Sequence, residues 1–129
     1  MTTPRSKILV VDDLRDSADS LAMMLRAKGH DVRVAYDGYE AVEIALHYRP
    51  DVVLLDIGMP RLNGYEAART IRQQAGADSP MLIAVTGWGH DENRLRTKEA
   101  GFDHHLVKPV EPAVLTKLLA ERWASRTTP

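Results

Sequence analysis

The 129 residues contain no cysteine, so disulfides and thiolate metal sites are excluded and a reducing compartment fits. No apolar run approaches the roughly 20 residues that a membrane-spanning helix needs. Residues 1–7 lead straight into a strand rather than into the apolar stretch of a signal peptide. Neither sign of charge dominates: 17 basic against 18 acidic residues give a formal net charge of −1. No overall attraction to nucleic acid or to an anionic membrane surface is therefore expected. A glycine-rich loop after the first apolar run is also missing, which argues against a nucleotide-binding module. These absences describe a soluble, cytoplasmic chain of single-domain size. The domain is expected at residues 7–124, with loose tails at 1–6 and 125–129.

Strand and helix periods alternate along the whole chain. Leu14, Ala18, Leu21, Ala22 and Leu25 recur at helical spacing, and Gly29 stands where a left-handed cap belongs. Residues 31–35 alternate, with Val32 and Val34 on one face, as in an outer strand. Asp37 and Glu40 have capping-box spacing, and so do Asn63 and Glu66. The helix after Asp37 should turn Ala41, Val42, Ala45 and Tyr48 inward. Pro112 opens a last helix with a stripe of Leu115, Leu118, Leu119 and Trp123. A helix at about 91–100 has little apolar content beyond Leu95 and Ala100, which makes it a weakly anchored, mobile element. Five βα units imply an α/β fold, a five-stranded, doubly wound parallel sheet with helices on both faces.

Four of the apolar runs end in residues that share one chemistry. Residues 8–11 run into Asp12 and Asp13, residues 52–55 into Asp56, residues 82–85 into Thr86, and residues 106–107 into Lys108 and Pro109. In a parallel sheet, ligands sit beyond the carboxyl ends of the strands. Three carboxylates, a hydroxyl and an ammonium would then meet at one sheet edge. The carboxylates suit a magnesium ion, and the lysine suits an anion. Together they suit phosphoryl transfer onto Asp56, with Lys108 and Thr86 binding phosphoryl oxygens.

Each feature also has a plainer reading. On that reading Asp12 and Asp13 simply cap the next helix, and Thr86 and Lys108 simply end strands. A carboxylate closing the run Val-Val-Leu-Leu is harder to dismiss, because an unpaired charge beside an apolar core is costly. His104 and His105 are neighbours on a strand and project to opposite faces, so they cannot share one metal ion. His30, His47 and His90 are most simply solvated. Arg94, Arg96 and Lys98 are diluted by Glu92 and Glu99 and are read as a solvated face, with no nucleic-acid role.

The stretches Ile-Leu-Val-Val-Asp12-Asp13, Asp-Val-Val-Leu-Leu-Asp56-Ile-Gly-Met-Pro60, Leu-Asn-Gly64-Tyr-Glu, Ala-Val-Thr86-Gly and Gly101-Phe-Asp-His-His-Leu-Val-Lys108-Pro109 resemble, in order and spacing, the response-regulator receiver domain of two-component signalling. The resemblance runs from Lys7 to Trp123. It implies a flavodoxin-like sheet of order 2-1-3-4-5, with Asp56 taking a phosphoryl group from a histidine kinase or a histidine phosphotransfer protein. It further implies Mg2+ or Mn2+ held directly by Asp13 and Asp56, by Asp12 through water and by the Gly58 carbonyl. Thr86 and His105 are implied as switch residues that remodel a surface of helix four, strand five and helix five for a downstream protein. Such a domain catalyses only its own phosphorylation and dephosphorylation and is not otherwise an enzyme. The family usually has Tyr or Phe where this chain has His105, and many members carry a longer side chain in place of Gly58.

The main rival is a magnesium-dependent phosphatase of the haloacid-dehalogenase type, which also uses a strand-end aspartate. That class wants a second acid two residues after the nucleophile, and here the residue is Gly58. A second alternative is a receiver segment of a hybrid histidine kinase. Met1 and the lack of an output segment favour a free-standing regulator.

Overall fold

The computed structural model describes residues 6–57, 64–87, 99–108 and 110–127. Strands β1 (Lys7–Val11), β2 (Asp31–Ala35), β3 (Val52–Asp56), β4 (Met81–Thr86) and β5 (His104–Val107) form one parallel sheet in the order β2-β1-β3-β4-β5. The helices described are α1 (Arg15–Ala27), α2 (Gly38–Tyr48), α3 (Gly64–Ala75) and a C-terminal helix (Pro112–Thr127). A single 3-10 turn, Gly76–Asp78, joins α3 to β4. This is the doubly wound order that the resemblance implied.

The strand pleat divides the core in two. Leu9, Val11, Val53, Leu55, Leu82 and Ala84 face one way and pack with Ala41 of α2 and with Ala67, Ala68 and Ile71 of α3. Ile8, Val10, Val52, Leu54, Ile83 and Val85 face the other way, against Ala18, Ala22 and Leu25 of α1 and Leu115 and Leu119 of the C-terminal helix. Side chains alternate every residue along a strand, so a strand buried on both faces must be apolar throughout. β3 and β4 are buried at every position, whereas β2 at the sheet edge is buried only at Val32 and Ala35.

Local signals explain the helix ends. The Asp37 carboxylate accepts the Glu40 N–H at 2.8 Å and caps α2. Gly29 follows α1 at φ 94°, a conformation that a side chain would disfavour. Ala41 is fully buried, while Val42, Ala45 and Tyr48 are half-buried.

Four expectations change. Leu14 is 62% exposed, because it forms the N-cap of α1 rather than part of its buried stripe. His30 is buried rather than solvated, and its Nδ1 accepts the Ser6 N–H at 3.1 Å. Ser6, placed in a loose tail by the sequence, is therefore buried where β1 and β2 begin. At the other end, the C-terminal helix continues to Thr127, past residue 124. Asn63, Trp88, His90, Leu95, Pro109 and the basic group Arg94, Arg96 and Lys98 lie outside the described residues, as does the Trp123 side chain. No described helix is long and apolar enough to cross a membrane.

Candidate functional site

Register brings the acidic residues together. In the β1–β3 ladder Val10 lies opposite Leu54 and Val11 opposite Leu55, so the next step along both strands sets Asp12 beside Asp56. Both carboxylates follow the even-numbered positions, on the face covered by α1 and the C-terminal helix. Ligand oxygens of Asp12, Asp13 and Asp56 all lie within 4.8 Å of one another. Asp12 and Asp56 are buried and Asp13 is exposed.

Lys108 prevents the buried pair from being an uncompensated charge. Its Nζ donates to Asp12 Oδ2 at 3.0 Å and to Asp56 Oδ2 at 3.1 Å. Its backbone N–H donates to the Thr86 carbonyl at 2.7 Å, which ties the end of β5 to the end of β4. Burial opposes the charge on Lys108, but the bonds to Asp12 and Asp56 outweigh it, so the pKa stands above the usual lysine value. Burial likewise opposes ionisation of Asp12. The Leu14 N–H, the Lys108 ammonium and the Ser17 hydroxyl together reverse that effect and hold its pKa below the usual value. The Leu14 N–H reaches Asp12 Oδ1 at 3.0 Å. Asp12 therefore serves both readings, bonding the start of α1 with one oxygen and the site cation with the other.

The other expected residues take distinct places. Thr86 is buried at the end of β4 opposite Val107, and His105 pairs with Ala84 two residues back. By the pleat these positions share the face of Leu82, opposite to Asp56. Gly58 lies outside the described residues. A groove of about 500 Å³ between α1 and the segment after β5 opens onto Asp12, Asp56 and Lys108, with Ser17, Leu21 and Met24 along its helical wall. A second cavity of about 510 Å³, near Arg49 and Asp51, lies at the opposite end of the sheet and shares no residue with the cluster.

The donor set fits a hard divalent ion. Carboxylate oxygens around octahedral Mg2+ at about 2.1 Å stand roughly 3 Å apart when adjacent and about 4.2 Å apart when opposed. A spread within 4.8 Å needs only a small closure.

Two features escaped the sequence reading. The Ser17 hydroxyl helps to hold down the pKa of Asp12; its signal was only its position in the first turn of α1. Arg15 stacks 4.0 Å over the Tyr36 ring, whose hydroxyl donates to Asp19 at 2.8 Å. That grouping depends on how β2 ends beside α1 and has no local signature.

Comparison with known proteins agrees with this geometry. The family model described as the response regulator receiver domain matches residues 8–120. The chain is 41% identical over 125 residues to the response regulator MprA of Mycobacterium sp. (strain KMS), covering 95% of this chain and 52% of that protein. It is 36% identical over 122 residues to the DNA-binding response regulator MtrA of Mycobacterium tuberculosis (strain ATCC 25618 / H37Rv), with the same coverage. The chain thus spans about half the length of the curated relatives it matches. Among solved structures, it superposes with TM-score 0.82 and 34% identity on the receiver domain of the sensor histidine kinase PA1611 from Pseudomonas aeruginosa PAO1, which holds a magnesium ion in its active-site cleft, covering 95% of this chain and 99% of that one. Sheet order, the carboxylate cluster with its lysine, and the match over residues 8–120 lead to one conclusion: the chain belongs to the response regulator receiver domain family.

Proposed function

We propose that this receiver accepts a phosphoryl group on Asp56 from the phosphohistidine of a histidine kinase or histidine phosphotransfer protein, with Mg2+ or Mn2+ as cofactor. The observation that carries this reading is the bridge from Lys108 Nζ to both Asp12 and Asp56, beside the exposed carboxylate of Asp13.

Asp13 and Asp56 would hold the ion directly, Asp12 through water, with the Gly58 carbonyl as a further ligand. When bound, the ion supplies positive charge that offsets repulsion between carboxylate and phosphoryl oxygens. A carboxylate oxygen of Asp56 attacks phosphorus in line. The P–N bond to the donor imidazole breaks, that ring leaves with the electron pair, and an acyl phosphate remains on Asp56. Lys108 turns from its carboxylate partners to a phosphoryl oxygen, and the Thr86 hydroxyl, although on the other pleat face, takes another past the carboxyl end of β4. The groove beside α1 gives a donor protein an open approach with an apolar wall, and Leu14 stands exposed at the start of the same helix.

Readout would run through Thr86 and His105, neighbours on adjoining strands on the face away from Asp56, toward a downstream protein at the β5 side. This is signalling chemistry in the cytoplasm, not turnover of a free substrate. The phosphatase reading lacks its second acid, because residue 58 is glycine. A hybrid-kinase context draws support from the PA1611 receiver, itself part of a sensor kinase. The DNA-binding name of MtrA belongs to a protein about twice as long, so the expectation of no nucleic-acid partner concerns the receiver unit alone.

The test is transfer from a phosphohistidine-labelled phosphotransfer protein in magnesium buffer. Label should move to the wild-type chain and stay on the donor with Asp56→Asn. Transfer to both proteins would overturn the reading, as would steady release of phosphate from a small phosphomonoester.

A further inference from the structure

We propose that Arg72, at the far end of the sheet from Asp56, is a positioning residue for Lys108; this rests on the role proposed above for that lysine. Arg72 lies in the last turn of α3, and all five N–H donors of its guanidinium are engaged. Nε donates to the Gly101 carbonyl at 2.9 Å, and Nη2 donates to the same carbonyl and to Asp103 Oδ2 at 2.7 Å. Nη1 donates to Ser79 Oγ at 2.7 Å and to the Pro80 carbonyl at 3.2 Å. Asp103 in turn accepts the Leu82 N–H at 2.8 Å, and the Asp103 N–H donates to the Leu82 carbonyl at 2.7 Å. One side chain thus ties the approach to β4 to the approach to β5.

The arrangement matters because β5 is short, lies at the edge of the sheet and, among the described residues, pairs only with β4. It is half-buried at three positions and exposed at the fourth. Core packing therefore fixes it less firmly than the central strands, and its register depends more on what holds its two ends. One end is the Arg72–Asp103 clamp. The other is Lys108, whose N–H bonds Thr86 and whose Nζ spans Asp12 and Asp56. A slip or tilt of β5 at the clamp would carry Lys108 with it, while Asp12, Asp13 and Asp56, held on β1 and β3, would stay in place. A lysine at position 72 cannot replace the clamp, since an ammonium lacks the planar fork.

A double-mutant cycle tests this, using the full chain with acetyl phosphate as donor and Mg2+ affinity measured by calorimetry. Arg72→Met should slow phosphorylation of Asp56 by about tenfold or more, the scale of a reacting group misplaced by a fraction of an ångström, without weakening Mg2+ binding. In a Lys108→Ala background the same substitution should cost nothing further. Asp103→Asn, which removes only the ionic part of the clamp, should show the same pattern more weakly and carries the test if Arg72→Met fails to fold. Unchanged rates, a parallel loss of Mg2+ affinity, or an equal loss with and without Lys108 would each overturn the proposal. Wild-type phosphorylation in the same assay keeps this outcome separate from the proposed function itself, which in this assay fails if wild type takes no phosphoryl group.

Discussion

Lys108 Nζ lies 3.1 Å from Asp56 Oδ2, across 52 residues of chain. The lysine occupies the space an incoming anion would use and already compensates the carboxylate that would attack it. Lys108→Ala should therefore separate two properties. Loss of a competing cation should leave Mg2+ affinity intact or higher. Phosphorylation by acetyl phosphate should slow by about 10²–10³, as for removal of one preorganised donor from a transition state. Calorimetry beside a phosphorylation time course would show this split, and a parallel fall in both would contradict it.

Gly64 is set by close approach. A Cβ there would stand 2.6 Å from Ile57 Cα and 2.7 Å from the Asp56 carbonyl oxygen. Both contacts are backbone and cannot rotate away. Gly64→Ala should cost about 1–3 kcal/mol in urea denaturation, the usual range for overpacking. It should also impair phosphorylation, because the displaced backbone carries Asp56. A stable variant with normal phosphorylation would show that the helix start adapts.

Of the three clustered carboxylates, Asp12 and Asp56 bond Lys108, and Asp13 adds a third negative charge beside them. Without divalent ion, Asp13→Asn should be more stable than wild type, since it removes like charge. Mg2+ should raise the melting temperature of wild type by mass action and that of Asp13→Asn much less. Melts with and without millimolar Mg2+ check both signs.

The architecture was readable in the sequence because burial on both faces forces a continuous apolar run. Residues 8–11, 52–55 and 82–85 could hardly be anything else, and their polar ends then fell at one sheet edge. What was hidden depends on how distant segments meet. His30 looked like an ordinary helix-end histidine, yet it is buried and bonded by the Ser6 N–H, 24 residues away. Leu14 fitted a helical stripe, but the helix begins one residue later and leaves it in solvent. Arg72 resembled any basic residue in a last turn; its partners at Gly101 and Asp103 lie 29 and 31 residues on. Periodicity reports which face a residue shares, not which loop arrives beside it.

His30 gives a pH prediction of definite sign. Burial, with a smaller contribution from the Lys28 charge, lowers its pKa below the usual imidazole value. Its Nδ1 must also stay unprotonated to accept the Ser6 N–H. The unfolded chain takes up this proton at about pH 6.5, before the folded protein does. The stability that His30 contributes is thus complete above that pH and is lost as pH falls toward the depressed folded value. Urea midpoints between about pH 7.5 and pH 5.5, above the carboxylate range, should fall more steeply for wild type than for His30→Asn. Parallel slopes would show that the histidine does not titrate on unfolding.

The central claim is that Asp56 alone receives the phosphoryl group. Intact mass after incubation with acetyl phosphate and Mg2+, followed by peptide mapping, tests it most directly. The account predicts the addition of one phosphoryl group, mapped to Asp56, absent when Mg2+ is chelated and absent in Asp56→Asn. Equal incorporation by Asp56→Asn, or a group mapped to Asp12 or Asp13, would contradict it.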